Sequence, residues 1–319
     1  MTLYLCQAGY ESFLIKELGG TIEKKGPGWV LGPQVEGGLC FAHLSMKDHV
    51  EVEGKSLNAL AGAMADYFTG STKNERFDAA WPFCVESAGD PGLSRRAKTV
   101  AEECFVRVKG RMSRVARLAV QGRPGPGTAQ GFFAYLPTFD RAYVSRAAFA
   151  GGQRRMADDA QAPSRSYLKV EEAYGVIGFE PAAGETVVDL GAAPGGWSYS
   201  AAKRGAHVVA VDNGPLKGGA IHTGITHRME DAFKFAPAQP AAWLFCDMVE
   251  DPERIVDLLG QWLDRGWCRR FIVNLKFGRH DPMRVLSRAQ ALRSNCSFFH
   301  ARHLFHDREE LTVVGERAN

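Results

Sequence analysis

Short apolar runs and helical stripes alternate through the second half of the chain. Thr186-Val187-Val188-Asp189-Leu190 and Val208-Val209-Ala210-Val211-Asp212 are β-branched or apolar with an acid at or near the end, the pattern of strands buried on both faces. Further strands are predicted over Ala241 to Cys246, Arg270 to Leu275, Phe298 to Leu304 and Glu310 to Val314. Between them, helices are predicted over Trp197 to Arg204, Pro252 to Arg265 and Pro282 to Arg293. In the middle one Ile255, Leu258, Leu259 and Trp262 share one side, with Gly266 as its stop. Such alternation predicts a doubly wound, mostly parallel α/β sheet, closed by an antiparallel hairpin at one edge.

The first half reads differently. Strands are predicted at Leu3 to Cys6, Trp29 to Leu31, Leu39 to Ala42 and Trp81 to Val85, with a helix over Tyr10 to Leu18. Leu57 to Phe68 reads as a helix capped by Ser56, with Leu57, Leu60, Ala61, Met64 and Phe68 on its apolar face. Ala97 to Val108 is either an amphipathic helix or a helix running into a strand. Gly131 to Leu136 and Ala142 to Phe149 pair as strands, and Gly151 to Pro163 is a linker. The expected organisation is a small α+β subdomain over 1–52, a second α+β unit over 53–155 and the α/β domain over 156–319.

The strand ending at Leu190 runs into Gly191, Ala192, Ala193, Pro194, Gly195 and Gly196, so a glycine turn opens the following helix at the carboxyl edge of the sheet. Ala193 stands where a dinucleotide fingerprint needs its second glycine, which disfavours a nicotinamide-dependent oxidoreductase. Asp189 ahead of this turn resembles instead the first motif of S-adenosylmethionine (SAM) methyltransferases. An acid suits that cofactor, which carries a sulfonium and an amino group and no phosphate. Asp212 then falls within reach of a ribose diol, and Asp231 at a spacing that suits an adenine amino group.

Composition sets outer limits. The chain has 319 residues, 45% of them hydrophobic and 24% charged, enough for about two domains of an ordinary soluble protein. No apolar run approaches the ~20 residues of a membrane span, and Met1 to Tyr10 lacks a signal-peptide pattern, so a cytoplasmic protein with no membrane partner is expected. Seven widely spaced cysteines without Cys-x-x-Cys predict buried thiols, not a disulfide framework or a zinc site. Although the net charge is only +3, residues 1–155 hold 20 Lys plus Arg against 15 acids. Nine of those bases fall between Arg95 and Arg123, a solvated face or a phosphate-binding surface.

Ionised residues also mark the strand ends: Asp247 after one strand, Lys276 after the next, Glu310 at the start of the last. The helix opened by Ser164-Arg165-Ser166 adds Lys169. Carboxyl ends of parallel strands gather along one crevice, so the four surround a single point beside the glycine turn. A ribose 2′-hydroxyl is a poor nucleophile until a base takes its proton, and a lysine beside a second cation suits that task. His300, His303 and His306 suggest a metal at first sight. On a strand, however, His300 and His303 point to opposite faces, and no metal is expected.

Ser164 to Lys169, Asp189 to Trp197, Asp247-Met248, Asn274-Leu275-Lys276 and Arg308-Glu309-Glu310 together resemble the FtsJ-like ribose 2′-O-methyltransferases. Ala162 to Tyr174, Val211 to Pro215, Cys246 to Glu250, Gly266-Trp267-Cys268 and His306 to Glu310 look closest to the bacterial members that methylate a cytidine ribose in 23S ribosomal RNA. The resemblance covers Ala162 to the C-terminus. It implies a Rossmann-like SAM-dependent methyltransferase domain, preceded by an α+β THUMP-like RNA-binding module, with 23S ribosomal RNA or a precursor of the large subunit as partner. It assigns SAM contacts to Ser166, Ala193, Pro194, Gly195, Gly196, Asp212, Asp231 and Asp247, to which the strand and glycine turn themselves add Asp189, Gly191 and Trp197. Lys169, Asp247, Lys276 and Glu310 become the catalytic tetrad, with Lys276 as proton acceptor. An RNA substrate turns Arg95, Arg96, Arg107, Lys109, Arg111 and Arg114 into candidate phosphate contacts. The rival reading is a non-catalytic RNA-binding protein that senses SAM.

Overall fold

One sheet runs through the first 150 residues of the computed structural model, which describes residues 1–318. In chain order its unit contains β1 (Thr2–Leu5), α1 (Glu11–Leu18), β2 (Lys24–Gly26), β3 (Trp29–Gly32), β4 (Leu44–Lys47), β5 (Val50–Glu53) and α2 (Leu57–Ser71). These are followed by β6 (Trp81–Ser87), α3 (Pro91–Arg111), α4 (Ser113–Ala116), β7 (Ala119–Gln121), β8 (Gly127–Leu136) and β9 (Arg141–Ala150). The strand order is β2-β3-β1-β4-β9-β8-β6-β7, with β5 also paired to β9. Strands from both of the expected segments, 1–52 and 53–155, therefore share one sheet. The chain divides into two compact units, Met1–Gly151 and a second that begins at Gly152.

The α3 sequence resolves as one helix. Asp90 accepts from the Leu93 N–H at 2.8 Å, Pro91 occupies the first turn, and Leu93, Ala97, Val100, Cys104 and Val108 line its buried face. Those residues pack with Leu60, Met64 and Phe68 of α2 against Phe132 and Ala134 of β8. Phe133 and Tyr135, which alternate with them, join Leu3, Trp29 and Leu31 in a second cluster on the other sheet face. The strand expected over Leu39 to Ala42 is not formed. The Glu17 carboxylate takes the N–H groups of Cys40 and Phe41 at 2.8 and 2.9 Å, and the ladder starts only at Leu44.

The second unit contains α5 (Tyr167–Ile177), β10 (Thr186–Leu190), α6 (Gly196–Lys203), β11 (His207–Val211), β12 (Ile225–Arg228), β13 (Ala241–Cys246) and α7 (Pro252–Asp264). It closes with β14 (Cys268–Lys276), α8 (Pro282–Gln290), β15 (Cys296–Arg302) and β16 (Glu310–Arg317). Its sheet runs β12-β11-β10-β13-β14-β16-β15. The first five of these are mutually parallel, β16 is antiparallel to both neighbours, and β15 forms the edge. Consecutive residues of β10, β13 and β14 are buried, as strands covered on both faces require. Trp243 and Phe245 of β13 pack under Val170 and Tyr174 of α5 and Trp197 of α6. The α/β architecture is thus as expected. At its end, β15 stops at Arg302, so His303 lies in the following loop and not on the strand where it was placed. No helix among the described residues is long and apolar enough to cross a membrane.

Candidate active site

Four ionic side chains reach one edge of the second sheet by three routes. Parallel strands β13 and β14 end there, which delivers Asp247 just beyond β13 and Lys276 as the last residue of β14. Because β16 runs the other way, its first residue arrives at the same edge, and Glu310 pairs with Lys276 in the ladder. Lys169 comes from the first turn of α5. That turn is tied to the glycine loop, since the Trp197 indole donates to the Ser166 carbonyl at 2.9 Å and a Cβ on Gly196 would lie 2.6 Å from Ser164 Oγ and 2.9 Å from Ser166 Oγ.

Asp247 is the hub. Its Oδ1 accepts from Lys276 Nζ at 2.6 Å and from Lys169 Nζ at 3.2 Å. Lys276 also donates to the carbonyls of Asp247 and Met248, at 2.9 and 3.3 Å. Lys169 completes its coordination on Glu310 Oε1 at 2.8 Å, an oxygen that also takes the Arg308 N–H at 3.2 Å. Burial works against the charge on Lys169, but Asp247 and Glu310 outweigh it and hold its pKa above the ordinary lysine value. The Lys276 side chain is 23% exposed, against 11% for Lys169 and 8% for Glu310. One lysine is therefore a buried cation held between two carboxylates, and the other is the more exposed of the pair.

The glycine loop is welded to this cluster. Gly191 has a φ of 74°, and a Cβ there would lie 2.2 Å from Met248 Cγ, so the loop packs directly on the residue after Asp247. Gly195 has a φ of 106°, and its missing Cβ leaves room for Ala220. Asp212 spans the loop from the other side: Oδ2 accepts from the Ala193 N–H at 3.0 Å and Oδ1 from the Gly214 N–H at 2.7 Å. Asp189 lies beneath, 1% exposed, and accepts from the Ser198 hydroxyl at 2.6 Å. Burial pushes its carboxyl up to about 7; the Ser198 bond opposes this and Asp247 adds to it. Asp231 is exposed beyond β12 and holds its own turn through the Phe233 N–H at 3.0 Å.

A family profile described as FtsJ-like methyltransferase matches residues 162–261. Ribosomal RNA large subunit methyltransferase M of Laribacter hongkongensis is 35% identical over 253 residues, which cover 73% of this chain and 68% of that one. The chain belongs to the ribosomal RNA large subunit methyltransferase M family. The family member of Histophilus somni is 46% identical over 184 residues, 51% of this chain and 49% of that one. The Marinomonas member is 42% identical over 184 residues, 53% and 52%. The chain thus spans about half the length of most of the family members quoted. Among solved structures, TrmN from Thermus thermophilus aligns over 99% of both chains at 15% identity, with a TM-score of 0.37.

Several polar residues beside the tetrad were given no role by the motifs, although Glu172, Asn274 and Asp307 lie inside the stretches that carry the resemblance. Glu172 and Asp307 are buried, as are Asn274 and Thr312. Spacing alone could have flagged two of them, since Asn274 and Thr312 are each two from a tetrad member on a strand. In the first unit the six candidate RNA contacts fall on α3 and α4, with unequal freedom. Arg107 pairs with Glu103 at 3.1 Å and Arg111 with Asp66 at 2.5 Å. Arg96 donates to the Phe139 carbonyl at 2.6 Å and Arg95 to the Pro91 carbonyl at 3.4 Å. Lys109 and Arg114 are exposed, with no acid in ion-pair range among the described residues. The same residues contain no cluster of three or more His, Cys, Asp or Glu suited to a metal. All seven cysteines are free thiols, five of them buried.

Proposed function

We propose that this chain transfers the methyl group of SAM to a ribose 2′-hydroxyl of large-subunit ribosomal RNA, a cytidine of 23S RNA in the finest form of the reading. The observation that carries it is the shared Asp247 Oδ1, gripped by two lysines and set against the glycine loop through Met248 and Gly191. The names of the relatives supply the substrate class. The residues fit a cationic, phosphate-free cofactor: Asp212 and Asp231 are acids at the sheet edge, and each Asp212 oxygen keeps a lone pair for a ribose diol after its backbone bond.

SAM when bound supplies an electrophilic methyl on sulfur, so the protein's task is to present an oxygen nucleophile and remove its proton. Lys169 cannot serve as base, because Asp247 and Glu310 hold its proton. Lys276, the more open of the two, would enter as the free amine and take the 2′-hydroxyl proton on Nζ, while bound SAM would supply the methyl group and leave as a neutral thioether. Asp247 orients Lys276 through Oδ1 and its own carbonyl. Lys169 stays charged between Asp247 and Glu310 throughout, which leaves the charge change on Lys276. Residues 53–155 act in this reading as a THUMP-like RNA-binding module, whose basic α3 and α4 provide affinity and leave the choice of nucleotide to RNA shape. Work on ribosomal RNA supports a cytoplasmic location in this reading.

Lys276→Ala should abolish methyl transfer while SAM still binds by calorimetry. Retained turnover would remove Lys276 as base. Mapping ribose methylation in large-subunit RNA from a deletion strain, with methylation restored by the purified protein, tests the substrate; an unchanged map rules it out.

A further inference from the structure

Directly below the tetrad lies a second, fully buried polar layer. Asn274 and Thr312 face each other in the β14–β16 ladder, two residues from Lys276 and from Glu310, and so share the face of the pair above them. Both are 0% exposed. Asp307, 2% exposed, closes the group. Its Oδ1 accepts from Asn274 Nδ2 at 3.1 Å and Thr312 Oγ1 at 3.2 Å, and its Oδ2 accepts from the Leu304 N–H at 2.9 Å. The Asp307 N–H returns to the Leu304 carbonyl at 3.2 Å, so the loop leading to Glu310 is folded around its own carboxyl. Glu172 anchors the same loop to α5, accepting from the N–H groups of Phe305 and His306 at 2.9 and 3.1 Å.

This places Glu310 at the end of a loop with two buried anchors, one on the ladder and one on the helix that carries Lys169. An exposed loop would let Glu310 swing away from the ammonium it bridges. We propose that Asp307 is a positioning residue for the methyl transfer argued above. By locking the 304–309 loop onto Asn274 and Thr312, it holds Glu310 where Lys169 stays bridged to Asp247. The inference rests on that functional reading, but its geometry is independent of it. Asp307 acts by shape: burial, with Glu310 adding to it, pushes its carboxyl well above the usual carboxylate range, against the Leu304 bond. An amide can take its place, because Asn274 Oδ1 is buried without a hydrogen-bond partner and the Asn274 amide can turn over to accept from it. Asp247, Glu310 and Asp307 are the acids that bear on Lys169, with Lys276 across Asp247 and buried Glu172 one turn further along α5.

The test compares Asp307→Ala, Asp307→Asn and Thr312→Val in the full chain. Competitive acetylation across pH, read by peptide mass spectrometry, follows Lys169 and Lys276 without any methyl transfer, and kcat is expressed per SAM-binding site. Asp307→Ala should unmask Lys169 to acetylation and lower kcat at least about tenfold, with KM for SAM and RNA within about twofold. Asp307→Asn should recover most of that loss. Thr312→Val, which deletes one hydroxyl, should move both readouts the same way by a smaller factor and decides the matter where Asp307→Ala does not fold. Unchanged lysine profiles and unchanged kcat per site, with only Tm lowered, overturn the proposal. Should the wild type fail to methylate RNA, the functional reading falls and the acetylation profiles alone still decide whether Asp307 positions the tetrad.

Discussion

Lys276 and Glu310 face each other across the β14–β16 ladder, the last residue of one strand against the first of the other. The antiparallel insertion of β16 between β14 and β15 makes this possible. A parallel strand in that place would have put its first residue at the opposite edge, away from Asp247. A single reversed strand therefore brings a carboxylate from the chain's far end to a crevice otherwise lined by the ends of parallel strands.

Glu310→Gln keeps the size of the side chain and removes its charge. Lys169 then retains only Asp247 as an ionic partner, so the buried cation is under-compensated and Asp247 is drawn away from Lys276. We expect kcat to fall about 10²-fold with SAM affinity unchanged, and a stability loss of about 1–3 kcal/mol. Single-turnover methyl transfer and thermal melts measure the two effects. A variant within threefold of wild-type kcat, taking roughly 0.7 kcal/mol as the limit of significance, would remove Glu310 from the machinery.

Gly195→Ala meets two obstacles at once. The backbone there has a φ of 106°, and the new Cβ would lie 2.2 Å from Ala220 Cβ, which has no rotamer to give way. The turn must open, and with it the loop that starts α6. Weaker SAM binding, by about tenfold or more, is expected from this alone, at a cost in stability of roughly 1–3 kcal/mol. Calorimetric affinity equal to wild type would show that the loop does not shape the cofactor site.

How much of this was legible in advance depends on how far each cause lies along the chain. The parallel strands announce themselves because burial on both faces selects local apolar runs such as Thr186 to Leu190, and the acids beyond them mark the strand ends. Asp247 and Lys276 were visible for that reason, Glu310 as an acid opening the last strand, and Lys169 from the helix that follows Ser164-Arg165-Ser166. Leu39 to Ala42 misled because the carboxylate that takes its N–H groups belongs to Glu17, on a helix more than twenty residues earlier. His303 misled because β15 ends one residue before it. Glu172 and Asp307 stayed hidden: the bonds that matter to Glu172 reach Phe305 and His306, and those of Asp307 cross to Asn274. No local pattern records such contacts.

Asp189 gives the fold a pH dependence with a defined sign. Its carboxyl titrates near 7 when folded and near 3.8 when unfolded, because burial favours the neutral form. The folded state therefore binds a proton that the unfolded chain releases. That contribution is complete below the unfolded value and fades as pH rises from about 4 to 7, then stays constant. Asp189→Asn removes the effect. The stability difference between variant and wild type should move in the variant's favour over that window, by at most roughly 4 kcal/mol. Urea melts at a series of pH values test this, and a difference that is flat from pH 4 to 7 sinks it.

The basic helices of the first unit make a prediction that separates free cations from paired ones. Arg107 and Arg111 already sit on Glu103 and Asp66, so reversing them changes helix packing as well as charge and reads ambiguously. Lys109 and Arg114 are exposed. If they meet RNA phosphates, each reversal to Glu weakens binding at low salt and lowers the slope of log K against log salt by about 0.7–0.9, the share of one released counterion. The loss should be uniform across RNA sequences, since phosphate contacts carry no base information. Stability should change by less than about 0.5 kcal/mol, as for other open surface positions. Filter binding across a salt series measures the slope. An unaltered slope in the Lys109→Glu, Arg114→Glu double variant makes this surface a solvated face and moves the RNA contacts elsewhere.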